Sequence, residues 1–379
     1  MTDLPDTNLV MLTLVKPEGE LEVFFERRPM PTPKPHEVLV KVQATPINPS
    51  DLGLLFGGAD MSTARASTRD GLPVITADVP PPGMRAMSGR IGEALPIGNE
   101  GSGVVVAAGD SPEAQALLGK TVAMLGGEIY AEYRCLPVGM CLPLPDGTDP
   151  ADGASCFVNP LTSQAFVETM RMEGHSAIVH TAAASNLGQM LVKICAADGV
   201  PLVNIVRSEA QVKLLKDLGA EHIVNSSDDD FQDKLIAAIV ETGATLGFDA
   251  IGGGKLAGQI LAAMEVAAVK RMATYSRYGS DTFKQVYIYG ALDLGPTILN
   301  RSFGLTWSLS GFLLTPFLQK AGAEVVGRLR QRVVDELTTT FKSHYSHDIS
   351  LTEALDLEVA HAYNAKRTGE KYLIRPNGS

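Results

Sequence analysis

The sequence contains no run of about 18 uncharged apolar residues, so no membrane-crossing helix is expected. The opening stretch, MTDLPDTNLVMLTLVKPEGE, carries acids where a secretory leader would carry bases. Export is therefore not expected, and a cytoplasmic location is. Cysteine is scarce. Cys135, Cys141, Cys156 and Cys195 form no CxxC pair and no zinc-ribbon spacing, which fits reduced thiols in a cytosolic protein. Basic charge is also short: 32 Lys and Arg against 43 Asp and Glu leave a formal net charge of −11. That balance argues against a nucleic-acid partner and against an anionic membrane surface. There is no internal repeat and no low-complexity tract.

What is present suits a globular protein of two or three domains. The 379 residues are 45% hydrophobic and 20% charged, enough to build cores and unlike a disordered chain. Up to about residue 155 the chain reads as short strands separated by Gly and Pro turns. Glu37–Ala44 follows a Pro-rich run, Gly103–Ala108 stops at Gly109-Asp110, and Gly119–Met124 and Ile129–Arg134 are further candidates. Such a pattern favours a sandwich or barrel. Gly57 to Leu95 differs, with Pro80-Pro81-Pro82 and several glycines. It reads as a long surface insertion of the kind that forms lids or interaction elements.

From about Asn159 the rhythm changes. Helix is expected over Leu161–Met170, strand over Ser176–His180 and helix over Leu187–Ala197. The alternation continues with Val203–Val206, Glu209–Leu218, Glu221–Val224, Phe231–Thr242 and Gly247–Ile251. Short strands and helices in alternation predict an α/β fold with a doubly wound parallel sheet. A helical tail, Leu314–Phe341, and a final β piece, Lys371–Ile374, complete the reading.

The stretch Ile178-Val179-His180-Thr181-Ala182-Ala183-Ala184-Ser185-Asn186-Leu187-Gly188-Gln189 holds the most chemistry. A strand runs through small residues into a helix, whose first amides and dipole favour phosphate. In the G-x-G-x-x-G register it reads Ala183-x-Ser185-x-x-Gly188, so one glycine of three remains. An ordinary tight βα turn would read the same in isolation. The second strand ends Val206-Arg207-Ser208, with Lys213 shortly after, where an NAD site would place an acid. Cations and a hydroxyl suit a 2′-phosphate, so NADP(H) is expected rather than NAD(H).

These segments resemble the medium-chain dehydrogenase/reductase superfamily, in its zinc-free branch of quinone oxidoreductases and enoyl-thioester reductases. The resemblance rests on ordered motifs: Ala44–Asp51 with its INPSD turn, Pro96–Val105 with its GNEGSG segment, and Asn159–Ala165. Leu218–His222 and Phe248–Gly253 follow in order. It implies a GroES-like β-rich catalytic domain over 1–157 and 310–379, carrying the insertion at about 57–95, and a Rossmann domain over 158–309. It implies backbone contacts from Ser185, Asn186 and Leu187 to the pyrophosphate, and contacts from Arg207, Ser208 and Lys213 to the 2′-phosphate. Ile251 and Gly252 would pass under the nicotinamide ribose, with Tyr275 and Ser276 flanking it from the end of a fifth strand. Asn48 and Thr162 match positions that approach the nicotinamide. An Asx turn before Pro49 and a helix N-cap are the plain alternatives for those two.

Zinc-dependent relatives use Cys and His where Thr45 and Asn99 stand here, and both are poor zinc ligands. No metal is expected. The implied reaction is hydride transfer from NADP(H) to a quinone or a similar activated carbonyl, with reduction of an enone or enoyl thioester as the alternative. A catalytically silent NADP-binding sensor is the reading from another class. Enoyl-thioester reductases carry a tyrosine shortly after the INPSD turn, and Leu52–Asp60 has none. No protein proton donor is named by the sequence. Tyr287 and Tyr289 alternate as on a strand, in packing roles. A homodimer is expected from the family, and Asn300–Leu314 is apolar enough to serve as interface or core.

Overall fold

The computed structural model describes residues 4–378. In chain order the first elements are β1 (Thr7–Lys16), β2 (Glu20–Pro29), β3 (Glu37–Pro46), α1 (Pro49–Leu55), β4 (Asp60–Arg69), β5 (Leu72–Asp78) and α2 (Pro81–Ala86). Next come β6 (Ala94–Pro96), β7 (Glu100–Ala108), α3 (Pro112–Gln115), β8 (Thr121–Leu125), β9 (Tyr133–Pro137), β10 (Cys141–Pro143) and α4 (Pro150–Gly153). The middle of the chain holds α5 (Val158–Met172), β11 (Ile178–His180), α6 (Asn186–Asp198), β12 (Leu202–Val206), α7 (Glu209–Asp217), β13 (His222–Asn225) and α8 (Phe231–Thr242). It continues with β14 (Leu246–Asp249), β15 (Gly252–Gly254), α9 (Leu256–Val269), β16 (Lys284–Ile288), β17 (Asp293–Thr297), β18 (Trp307–Gly311) and α10 (Leu314–Asp335). The chain closes with β19 (His347–Ser350), α11 (Leu357–Asn364) and β20 (Tyr372–Arg375).

Two compact units result. One takes the chain up to Val158 and again from Arg332; the other takes Asn159–Gln331. The return to the first unit comes at Arg332 rather than at 310, because most of α10 packs with the second unit. The helical tail is also shorter than expected, and Gly322 breaks it with φ 83° and ψ 167°.

The first unit has two sheets. The five-stranded one runs β4-β5-β2-β1-β6; the seven-stranded one runs β10-β8-β7-β3-β20-β19, with β9 also on β3. Near-continuous burial along β1 and the first half of β2 closes a core that includes Met11, Leu21, Val23, Leu55 and Ile75. The expected loop insertion is corrected here. Residues 57–95 form the β4–β5 hairpin, α2 and β6, and β5 pairs with β2 so that the hairpin extends the sheet. Its turn is Asp70-Gly71, with φ of 54° and 76° at the two residues. Positive φ at both central residues is what a two-residue type I′ hairpin needs.

The second unit has a six-stranded parallel sheet in the order β13-β12-β11-β14-β16-β18. Counting from β11, that is 3-2-1-4-5-6, the doubly wound order whose direction reverses between its first and fourth strands. Val179, Val203, Ile205, Val224 and Val286 on one face pack against α8 and α9. The fifth strand is β16, not Met272–Ser276. That segment lies in the loop between α9 and β16.

Candidate functional site

The turn after β11 is built for close backbone approach. His180 and Thr181 are buried, Ala182 takes a left-handed φ of 50°, and the Ala183 N–H donates to the Ile205 carbonyl at 3.1 Å. Ser185 caps α6: its Oγ accepts from the Gly188 N–H at 3.1 Å. Its own N–H donates to the Ala182 carbonyl at 2.9 Å, which corrects the expectation that this amide faces a ligand. The Leu187 N–H has no acceptor among the described residues, at the end of the helix where an anion is favoured. Gly188 is indispensable to the packing. A Cβ there would stand 2.2 Å from the Ala183 carbonyl oxygen.

The end of β12 presents Arg207. It is exposed, its N–H donates to Gln211 Oε1 at 2.9 Å, and its carbonyl accepts from Ser227 Oγ at 2.9 Å. No carboxylate pairs with its guanidinium among the described residues. Ser208 is the N-cap of α7, accepting from the Gln211 N–H at 3.4 Å. Lys213 lies within α7, where its exposed Nζ pairs with Asp217 at 2.7 Å. Arg207 and Ser208 are therefore brought together, and Lys213 is engaged elsewhere.

The end of β14 shows a device the sequence reading missed. Asp249 is fully buried. Its carboxylate accepts from Thr181 Oγ1 at 2.8 Å, the Ile251 N–H at 2.9 Å and the Gly252 N–H at 3.2 Å, while Thr181 Oγ1 accepts from the Ala250 N–H at 2.8 Å. Ile251 and Gly252 are thus fixed to the end of β11. Gly252 has φ 81°, and a Cβ there would meet the Gly290 carbonyl at 2.9 Å. The available signal was an acid and a hydroxyl at the ends of the two strands flanking the reversal. His180 Nε2 lies 2.8 Å from Tyr289 Oη, and burial pushes the imidazole down to about 3, so it is neutral. Tyr287 Oη donates to Glu173 at 2.9 Å. Thr162 lies in the second turn of α5, buried and well inside the helix, so it is not a cap. Tyr275 and Ser276 are not at a strand end: Tyr275 is 92% exposed, and Ser276 Oγ accepts from the Tyr278 N–H at 3.2 Å.

Asn48 belongs to the first unit and is 1% exposed. Its N–H donates to Asp51 Oδ2 at 2.8 Å, and its Nδ2 to Glu100 Oε1 at 2.8 Å. Glu100 also accepts from Ser155 Oγ at 3.2 Å and from the Phe157 and Val158 N–H groups at 2.8 and 2.9 Å. Four donors on one buried carboxylate hold Asn48 in a single orientation. Asp51 accepts from the Asn99 N–H at 2.9 Å. Burial, reinforced by the nearby Glu100 charge, pushes Asp51 up to about 7.

Comparison with known proteins agrees with this arrangement. Residues 34–146 match the alcohol dehydrogenase GroES-like domain family, and residues 187–275 match the zinc-binding dehydrogenase family. Prostaglandin reductase-3 of Mus musculus is 25% identical over 97% of this chain and 89% of its own length. A Mesorhizobium loti protein assigned as an NADPH:quinone reductase superposes with a TM-score of 0.74 at 27% identity, covering 99% of this chain and 100% of its own. The chain belongs to the medium-chain dehydrogenase/reductase superfamily. A shorter match joins it to the mitochondrial enoyl-[acyl-carrier-protein] reductase of Rattus norvegicus, 27% identical over 51% of this chain and 46% of that protein.

Zinc in one of those family descriptions invites a test of the donor set, and the residues do not fit it. Thr45 Oγ1 donates to the Glu100 carbonyl at 2.6 Å, and Asn99 Nδ2 donates to Ser50 Oγ at 3.1 Å. Among the described residues no three His, Cys, Asp or Glu side chains gather closely enough to hold a metal ion. Thr45 and Asn99 thus offer a zinc ion neither a thiolate nor an imidazole.

Proposed function

We propose that the chain is a zinc-independent, NADPH-dependent reductase of quinones or similar conjugated carbonyl acceptors. The observation that carries this reading is the reversal of strand order between β11 and β14. At that point lie a left-handed Ala182, the open Leu187 amide and the Asp249 clamp, and Arg207 stands unpaired at the end of the neighbouring strand. Ligands of doubly wound sheets bind outside the carboxyl ends of the strands at such a point. The Leu187 N–H and the start of α6 would hold the diphosphate, Arg207 and Ser208 the 2′-phosphate, and Ile251 and Gly252 the ribose. When bound, NADPH supplies the hydride. Without a metal, orientation of an already electron-poor acceptor provides much of the rate.

Reduction of an enone or enoyl thioester is the second reading, favoured by the match to a prostaglandin reductase along almost the whole chain. Against a thioester stands the missing tyrosine after the INPSD turn. A cytoplasmic location is supported by four free thiols, three of them buried. We also propose a homodimer. The outer edge of β18 is unpaired in the sheet, and the exposed apolar side chains Leu292, Leu294, Leu305 and Leu313 lie in the same part of the chain.

Dissociation constants for NADPH and NADH test the cofactor assignment. Arg207→Ala should weaken NADPH by about 1.5–3 kcal/mol, the scale of bonds to charged groups, and leave NADH nearly unchanged. Equal losses for both nucleotides would overturn it. A panel of quinones, enones and enoyl thioesters identifies the acceptor. Tight NADPH binding with no acceptor consumed would instead support a silent sensor.

A further inference from the structure

The reduction needs a proton as well as a hydride, and the first unit holds a buried amine with a proton to give. Strand β20 lies antiparallel to β3, with Leu373 opposite Pro46 and Ile374 opposite Thr45. The Ile47 N–H donates to the Tyr372 carbonyl at 3.0 Å. Lys371 is next in line and so stands alongside Asn48. Its Nζ donates to Ser155 Oγ at 3.1 Å and lies 3.5 Å from Ser343 Oγ. Ser155 Oγ donates in turn to Glu100 Oε1, the oxygen that also accepts the Asn48 amide. Lys371, Ser155, Glu100 and Asn48 therefore form one hydrogen-bonded chain.

The surroundings of Nζ are unusual for a lysine. The ammonium lies 5.4 Å from the centre of the Tyr345 ring, and no carboxylate is within ion-pair distance of it among the described residues. Two serine hydroxyls leave a third N–H uncommitted. The charged groups facing it are Glu100 of β7 and Asp51 of α1, with Tyr345 as the neighbouring phenol. Burial lowers the amine to about 8 despite those two carboxylates. The other groups nearby are less suited: burial holds the Tyr345 phenol well above its ordinary range, and the Asp51 carboxyl is turned to the Asn48 and Asn99 N–H groups. Tyr130 donates its hydroxyl to the Pro46 carbonyl, and Glu100 accepts from four donors.

We propose that Lys371 is the proton donor of the reduction, with Ser155 and Glu100 holding its ammonium beside Asn48. The proposal rests on the reductase reading. The acceptor takes a hydride from the nicotinamide, gains one bond to hydrogen, and shifts an electron pair onto its carbonyl oxygen. An N–H bond of Lys371 then breaks as an O–H bond forms, giving the enol or hydroquinone and a neutral amine. Water returns the proton to Nζ.

The test uses the full chain and the variants Lys371→Met and Lys371→Arg. An amine titrating near 8 keeps its proton below that pH and loses it above, so wild-type kcat should fall as pH rises through about 8. Lys371→Met should lose roughly 10²–10³-fold in kcat, the range of general acid catalysis, and should lose that limb. Its Kd for NADPH should stay within twofold. Lys371→Arg keeps the charge but releases no proton near neutrality, so kcat should fall while folding and NADPH binding persist. A readout free of turnover is the ¹³C NMR titration of the reductively methylated, cofactor-free protein. One dimethyl-lysine should titrate near 8 and be missing from Lys371→Arg. Near-wild-type kcat in Lys371→Met, or titration of this lysine near 10, would overturn the proposal. Wild-type protein that binds no NADPH would overturn the reductase reading itself, and this proposal with it.

Discussion

Gly188 carries the tightest steric demand of the cofactor turn. The helix α6 can start so close to β11 only because no Cβ separates it from the Ala183 carbonyl, which a methyl group would approach to 2.2 Å. The contact is with backbone, so no flexible side chain can give way. Gly188→Ala should therefore lower stability by about 1–3 kcal/mol, the cost of overpacking a rigid contact, and weaken NADPH as well. Urea unfolding and nucleotide titration read the two effects separately. Full stability with unchanged affinity would mean that the turn relaxes freely. This glycine was legible in the sequence as the last of the fingerprint, as were Arg207 and Ser208 at the end of β12. The Asp249–Thr181 bond was not legible, because it joins residues 68 positions apart, and neither of the two motifs that hold them points to the other. Ser185 was read as offering its backbone N–H to phosphate, but that amide bonds the Ala182 carbonyl while the side chain caps α6. Small residues before a helix fit both arrangements, and spacing alone does not separate them.

At the scale of elements, the strands that escaped notice are those whose burial breaks the usual pattern. Strand β4 is almost wholly exposed, so it has no period-2 apolar signal to detect. The Asp70-Gly71 pair was the sign of its hairpin, since only such residues accept positive φ at both turn positions. Strand β16 was misplaced because it begins with a charge. Lys284 is fully buried there, its Nζ 2.6 Å from Glu265 Oε2 of α9 and 3.0 Å from Ser280 Oγ. Glu265 also accepts from the Ser280 N–H at 2.7 Å, which ties down the loop between α9 and β16. A buried pair of this kind costs most when only one member is lost. Lys284→Met should destabilise by about 3–5 kcal/mol, and adding Glu265→Gln should recover a good part of that loss. Denaturant midpoints of the two variants decide the matter. Equal midpoints for single and double variants would show that the charges are not coupled.

Over the whole molecule, the fold class and the division into a β-rich part and an alternating part were visible because each rests on many residues at once. The state of association was not, because interface and core residues have the same chemistry. The chain carries a net charge of −11, yet Asn300–Leu314 holds no acid and a single cation, Arg301. Like-charged copies can therefore meet there with little repulsion. In the same region Leu294, Leu305 and Leu313 are 84%, 75% and 68% exposed, a concentration that a soluble monomer rarely maintains. The open side of β18 adds unpaired backbone groups that another strand can satisfy. If two copies meet on a two-fold axis, their β18 strands must run antiparallel, and the two sheets become continuous. Light scattering should then give twice the 40.2 kDa chain mass at micromolar concentration. Replacing Leu294, Leu305 and Leu313 together by Glu should halve that mass. These side chains contribute little to the fold, so the variant should keep its circular dichroism and its NADPH affinity. A wild-type chain that scatters as a monomer would show that the apolar edge serves another purpose.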